Sequence, residues 1–224
     1  MGHGLSLVKQ KGFTLIEILV AMAIIALVLG VVVGNIGTES EDTLNDSVQY
    51  FERSLRFSVD ESALRNAVVR LHFQLDKNPA EFNIEYGPDE DFVLPSVKVS
   101  LVQSLEEARA IKARNKKLNQ QFNRIKEFEK QNKIFPEEVR IIGVGTSTSE
   151  KLITEGEVSL YVFPTGEKDD GIIVLATESV VTGLSFNPFN NDFSTIRKSM
   201  EGDGEDPYEE QVELAREIYG EWLK

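Results

Sequence analysis

A run from Phe13 to Gly34 that holds a single charge, Glu17, constrains this chain more than any other stretch. At 1.5 Å of rise per residue it makes about 33 Å of helix, close to the hydrocarbon thickness of a bilayer. The leader before it, Met1 to Gly12, carries Lys9 and Lys11 and no acid. The positive-inside bias therefore predicts Met1 in the cytoplasm and everything after Ile36 across the membrane. Glu17 is the odd residue, because a carboxylate near one end of a membrane helix costs a few kcal/mol and marks a function or a partner. An ordinary secretory signal has a shorter apolar core, a small-x-small cleavage site and no acid where the core begins. A plain anchor fits the length and leaves Glu17 without a reason.

The segment Lys11-Gly12-Phe13-Thr14-Leu15-Ile16-Glu17 resembles the class III signal of type IV prepilins and type II secretion pseudopilins. The resemblance implies that a membrane peptidase cuts between Gly12 and Phe13 and methylates the new N-terminus on Phe13. It also implies that Glu17 answers that α-amine, since a cation in a low-dielectric setting needs a counter-charge worth several times its value in water. The pairing falls either within one subunit or onto the Phe13 amine of a neighbour, where it would set the stagger between helices; the residues do not choose. The partners implied are the prepilin peptidase and N-methyltransferase, major and other minor pseudopilins, and an inner-membrane assembly platform.

Length and charge bound the rest. The 224 residues suffice for one folded domain beyond the helix. The formal net charge is −13, and loss of a leader holding two lysines and no acid takes it to −15. Such a surface argues against nucleic acid as a partner. Cysteine is absent, so neither disulfides nor thiolate chemistry are available. Of the two histidines, His3 leaves with the leader. His72 lies in a strand pattern whose core face is Val69, Leu71, Phe73 and Leu75, which predicts that His72 points to solvent. With no phosphate loop, nucleophile elbow or His-x-x-x-His pattern, the expectation is a non-enzyme without a cofactor.

After Thr38 an amphipathic pattern begins. Leu44, Val48, Phe51, Leu55, Val59 and Ala63 recur every three or four residues and predict a helical stripe ending at about Asn66. Gly30, Gly34, Asn35 and Gly37 are weak points between the two helical halves, each Gly costing about 1 kcal/mol relative to Ala. Strands are predicted over Val68–Leu75, Phe82–Tyr86, Val97–Val99, Val139–Val144, Val158–Phe163, Ile172–Ala176 and Val180–Phe186. Their alternation argues for antiparallel sheets with one wet face. The helix with Leu55-Arg56-Phe57 and Ala63-Leu64-Arg65-Asn66, the strand after it, and Phe163-Pro164-Thr165-Gly166-Glu167 before Ile172 resemble the minor pseudopilin H family. Its members carry a similar turn between two late strands of a β-sandwich.

The middle and the tail depart from that family. Ser104 and Glu107 form a capping box, and Leu105, Ala108, Ile111, Leu118, Phe122, Ile125 and Phe128 predict a helix as far as Pro136. Its other face is basic, with Arg109, Lys112, Arg114, Lys116, Lys117 and Arg124 as candidate partner-binding residues. Such an island in an acidic chain fits a solvated face paired locally with Glu127 and Glu129, and also a docking face for an acidic partner or anionic lipid. In the tail, Asp203, Glu205 and Asp206 are weak calcium candidates whose spacing matches no EF-hand loop. Asp206-Pro207 predicts the start of a last helix, with Tyr208, Val212, Ala215, Tyr219 and Trp222 on its core face.

The expected fold is α+β and pilin-like: a long N-terminal helix packed on antiparallel sheets in a β-sandwich, with inserted and C-terminal helices. The expected layout is a leader over 1–12, a membrane and filament-core helix over 13–36, and the distal half of the helix over 37–66. A β domain over 67–186 follows, with a helical insertion at about 101–135, and then an acidic loop and helix over 187–224. The resemblance implies a minor pseudopilin of a type II secretion system, single-pass in the inner membrane of a Gram-negative-type bacterium with its domain in the periplasm. The alternatives are a minor pilin of a type IV pilus or DNA-uptake filament, and a membrane-anchored periplasmic binding protein.

Overall fold

The computed structural model describes residues 15–89, 105–128, 136, 138–202 and 206–224, with the side chains at 28–40, 89, 105, 107, 108 and 111 outside that description. The chain divides into two compact units, 1–39 and 40–224. Helix α1, Leu15–Arg65, is helical through Gly30, Gly34, Asn35 and Gly37. It stops where Asn66 turns to a φ of 49°, the left-handed conformation that Asn tolerates and that ends helices.

From Leu44 onward α1 buries a stripe. Leu44, Val48, Phe51 and Leu55 are buried as expected, whereas Val59 is half-buried and Ala63 exposed. Ser58 and Ser62 take the core positions instead. At about 100° per residue, the step from Leu55 to Ala63 swings about 80° off the face, while the step to Ser62 returns within about 20° of it. Each buried hydroxyl is satisfied locally. Ser54 Oγ donates to the Tyr50 carbonyl at 2.8 Å and Ser58 Oγ to the Ser54 carbonyl at 2.7 Å. Ser62 Oγ lies 2.8 Å from the Val59 carbonyl and 3.1 Å from that of Phe163, which ties the end of α1 to the Phe163–Glu167 turn.

The fold of this second unit is α+β with two antiparallel four-stranded sheets. The first holds β1 (Ala67–Gln74), β2 (Glu81–Asp89), β3 (Asn123–Arg124) and β5 (Glu157–Val162) in the order β3-β2-β1-β5. The second holds β4 (Arg140–Thr146), β6 (Gly171–Ala176), β7 (Val180–Phe186) and β8 (Phe193–Ser199) in the order β4-β6-β7-β8. The Phe163–Glu167 turn therefore passes the chain from one sheet to the other. Gly166 takes a φ of 87° there, and its N–H donates to the Phe163 carbonyl at 2.9 Å. One apolar cluster joins α1 to both sheets, through Phe51 and Leu55, Leu71 and Phe73, and Ile173 and Leu175.

The expected wet face is absent from the inner strands β1, β6 and β7, while the outer strands β5 and β8 keep exposed positions. All eight residues of β1 except Gln74 are buried, as are all of β6 and β7. The second sheet is covered by helix α3, Pro207–Trp222, whose Ala215, Ile218 and Tyr219 join Ile142, Ile172, Val174 and Val181 in a separate cluster. Gly145 and Gly183 let the helix approach closely: a Cβ on Gly145 would lie 2.3 Å from the Tyr219 ring, and one on Gly183 2.5 Å from Ile218.

The first sheet is covered by the insertion, and here the expected helix is corrected. Helix α2 spans Leu105–Asn119 and ends well short of Pro136. The chain then turns, β3 pairs with β2 at Glu85 and Tyr86, and Ile125 N–H donates to the Ile84 carbonyl at 2.8 Å. Phe122 and Ile125 are buried from irregular backbone on either side of β3 and Phe128 from a new helical turn at 127–128, and Phe128 packs edge-on to Tyr50 of α1 at 5.3 Å. Spacing of three and four residues does not require a helix when the sheet supplies the hydrogen bonds. The strand expected over 97–99, Ser104 and the side chain of Glu107 lie outside the described residues.

Candidate assembly site on the N-terminal helix

Among the described side chains of the first unit, 15–27, the exposed surface is apolar except for Glu17. Leu15, Ile16, Ile18, Leu19, Val20, Met22, Ile24, Ile25 and Leu27 are between 50% and 82% exposed. Burial of such side chains is worth about 1.5–3 kcal/mol each, so at this exposure they hold on the order of 10 kcal/mol in reserve. A helix that is apolar all round is made to be surrounded. Among the described residues no helix is long and apolar enough to cross a membrane; the side chains of 28–40, where the apolar run of the sequence continues, are not among them.

Glu17 is exposed in the first turn of α1. A carboxylate there complements the partial positive charge of the helix N-terminus. Position 17 also stands four residues after Phe13, about one turn, so the two share a side of any helix that includes both. Gly12 and Phe13, the expected cleavage and methylation positions, lie outside the described residues.

The other expected residues are scattered. Arg109, Lys112, Arg114, Lys116 and Lys117 are exposed on α2, and Arg124 is exposed on β3. Asp206 serves as the N-cap of α3, accepting from the Tyr208 N–H at 2.8 Å, with Pro207 next to it as expected. Asp203 and Glu205 lie outside the described residues. Among those described, no group of three or more His, Asp or Glu side chains could hold a metal ion.

His72 departs from expectation. It faces away from the main core, as the alternation predicts, yet only 4% of it is exposed. The end of the insertion covers it. Asn119 donates to Glu157 at 2.9 Å, Glu157 lies 4.0 Å from His72 Nε2, and His72 Nδ1 is 2.9 Å from the Ser159 hydroxyl. Burial pulls the His72 pKa below its ordinary value, helped by Arg70 and opposed by Glu85 and Glu157. Beside it Arg70, 1% exposed, pairs with Glu85 at 2.6 Å and lies 3.9 Å over the Phe122 ring.

Two further shielded ionisable residues, neighbours in sequence and each bonded to backbone, follow the Phe163–Glu167 turn. Lys168 is buried and its Nζ donates to the Asn190 carbonyl at 2.5 Å, while burial lowers its pKa. Asp169 Oδ2 accepts from the Tyr161 N–H at 2.8 Å, and burial pushes its pKa up to about 6. The only sequence signal was their position between the Phe163–Glu167 turn and the all-apolar β6.

Residues 7–33 match the family described as the prokaryotic N-terminal methylation motif. That motif indicates a type IV pilin-like protein, a pilin or a pseudopilin, with a membrane-anchored N-terminus. It implies processing by a prepilin peptidase and assembly with other pilins. Comparison with curated proteins and with solved structures gives no match.

Proposed function

We propose that the chain is a minor pseudopilin of a type II secretion system, of the H type, which is cut after Gly12, methylated on Phe13 and assembled into a periplasmic pseudopilus that drives protein export. The observation that carries this reading is the N-terminal methylation motif over 7–33, with Glu17 in the first turn of a helix whose exposed face is apolar. In the assembled state neighbouring helices and the bilayer cover that apolar surface, and Glu17 meets the Phe13 amine. The H assignment is supported by the Phe163–Glu167 turn, which crosses between the sheets and is bound to Ser62 of α1. The work of the protein on this reading is assembly, without catalysis or cofactor. It sits single-pass in the inner membrane with residues beyond 36 in the periplasm.

Intact mass and N-terminal sequence of the membrane-extracted chain, with and without co-expressed prepilin peptidase, test the pathway. A mature chain beginning at N-methylated Phe13 is expected; an uncut chain, or one cut beyond Ile36, overturns it. Gene disruption then separates the systems. Loss of an exported protein identifies the secretion pseudopilus, whereas intact export with lost twitching or DNA uptake identifies a pilus.

A further inference from the structure

Helix α2 is a 15-residue helix exposed at every described position from Arg109 to Lys117. On its own, a helix of this length is marginal in water. Arg109, Lys112, Lys116 and Lys117 fall within an arc of about 140° around its axis. None of these four pairs with a carboxylate among the described residues. Like charges at this spacing oppose the helix that carries them. The arrangement gains only when an opposite charge arrives from outside.

Helix α3 carries the complement. Glu209, Glu213, Glu217 and Glu221 recur every four residues and are exposed, on the side away from Ala215 and Ile218. Cations near this row are few: Arg216 stands at its edge, and Lys198 of β8 bonds Glu217 at 3.0 Å and Glu221 at 2.6 Å. Glu209 and Glu213 enter none of these pairs. Lys112 and Lys116 stand four residues and about 6 Å apart along α2, the same step as Glu209 and Glu213 along α3, so these charges can meet in register.

We propose that α2 of one copy docks on the Glu209–Glu213 side of α3 of a second copy, giving a charge-matched contact between subunits. This rests on the reading of the chain as an assembling subunit. It adds a contact between the folded domains to the one made by the N-terminal helices.

Zero-length carbodiimide crosslinking of the full chain in detergent, with equal parts of ¹⁵N-labelled and unlabelled protein, tests it directly. Mixed-isotope peptides joining Lys112, Lys116 or Lys117 to Glu209 or Glu213 are expected at low salt. Their yield should fall roughly tenfold at high salt, where exposed charges are screened, and the Lys117 peptides, whose amine is kept, should fall likewise in a Lys112→Glu, Lys116→Glu chain. Mixing that chain with Glu209→Lys, Glu213→Lys protein should restore crosslinking between the two helices. Absence of mixed-isotope peptides in a preparation correctly processed at Gly12 overturns the contact and leaves the proposed function standing. So does α2-dependent retention on phosphatidylglycerol vesicles without such peptides, which would assign the helix to a lipid surface.

Discussion

Arg70 is the most exacting side chain in the domain, because a fully buried guanidinium depends on Glu85 and the Phe122 ring for everything water would supply. Removing one partner of a buried pair leaves an uncompensated charge, so Glu85→Ala should cost about 3–5 kcal/mol. Urea denaturation followed by Trp222, the only tryptophan, measures it. His72 and Asp169 set opposing pH dependences. The His72 pKa is lowered by folding, so its contribution is present above the ordinary histidine value and is lost as pH falls through that value. The carboxyl of Asp169 is raised from 3.8 to about 6, so the native state holds a proton that the unfolded chain releases between those values. Its contribution therefore grows as pH falls from about 6 to about 4. Asp169→Asn should stabilise the domain by about 1–3 kcal/mol at pH 7.5. That advantage should shrink as pH falls through about 6 and vanish only below the ordinary carboxylate value of 3.8, read as the difference in urea midpoints. The outward direction of His72 was legible from alternation along β1. Its burial was not, because the cover comes from residues 119–122, whose destination no local pattern announces.

At the scale of elements, strands with strong alternation or unbroken apolar runs were legible, and so was the cap of the last helix at Asp206-Pro207. β8 was not. Its sequence Phe193-Ser194-Thr195-Ile196-Arg197-Lys198-Ser199 is polar and mostly exposed, as suits an edge strand that must not recruit another. Only the ladder to β7, from Val180↔Ser199 to Phe186↔Phe193, reveals it as a strand. The fit of α3 on the second sheet makes a sharp prediction. Gly145→Ala would drive a methyl into the Tyr219 ring and should destabilise by about 1–3 kcal/mol. Tyr219→Phe leaves the contact and removes only the hydroxyl, which lies 2.9 Å from the Thr146 carbonyl and 2.7 Å from that of Ser149. Its smaller loss should be about 1 kcal/mol, measured by the same denaturation.

For the molecule as a whole, the N-terminal motif made the class of protein legible before any coordinate, because peptidase recognition depends on a short segment read without tertiary context. The domain beyond it was legible in class and not in closure. Glu17→Ala should leave cleavage after Gly12 intact while sharply reducing incorporation into filaments, measured as the mature chain recovered in a sheared or detergent-resistant fraction. Full incorporation of that variant would remove the role assigned to the carboxylate.

The cover that α3 places over the second sheet has a consequence for the order in which the chain is made. Until residues 207–222 emerge, Ile142, Ile172, Val174 and Val181 have no roof, and the domain presents an apolar sheet to its surroundings. A chain stopped short by an early stop codon or clipped near Gly202 would stay adhesive on that side, a natural substrate for chaperones and proteases. The second sheet is thus sealed last, by a segment distant in sequence from most of the strands it protects.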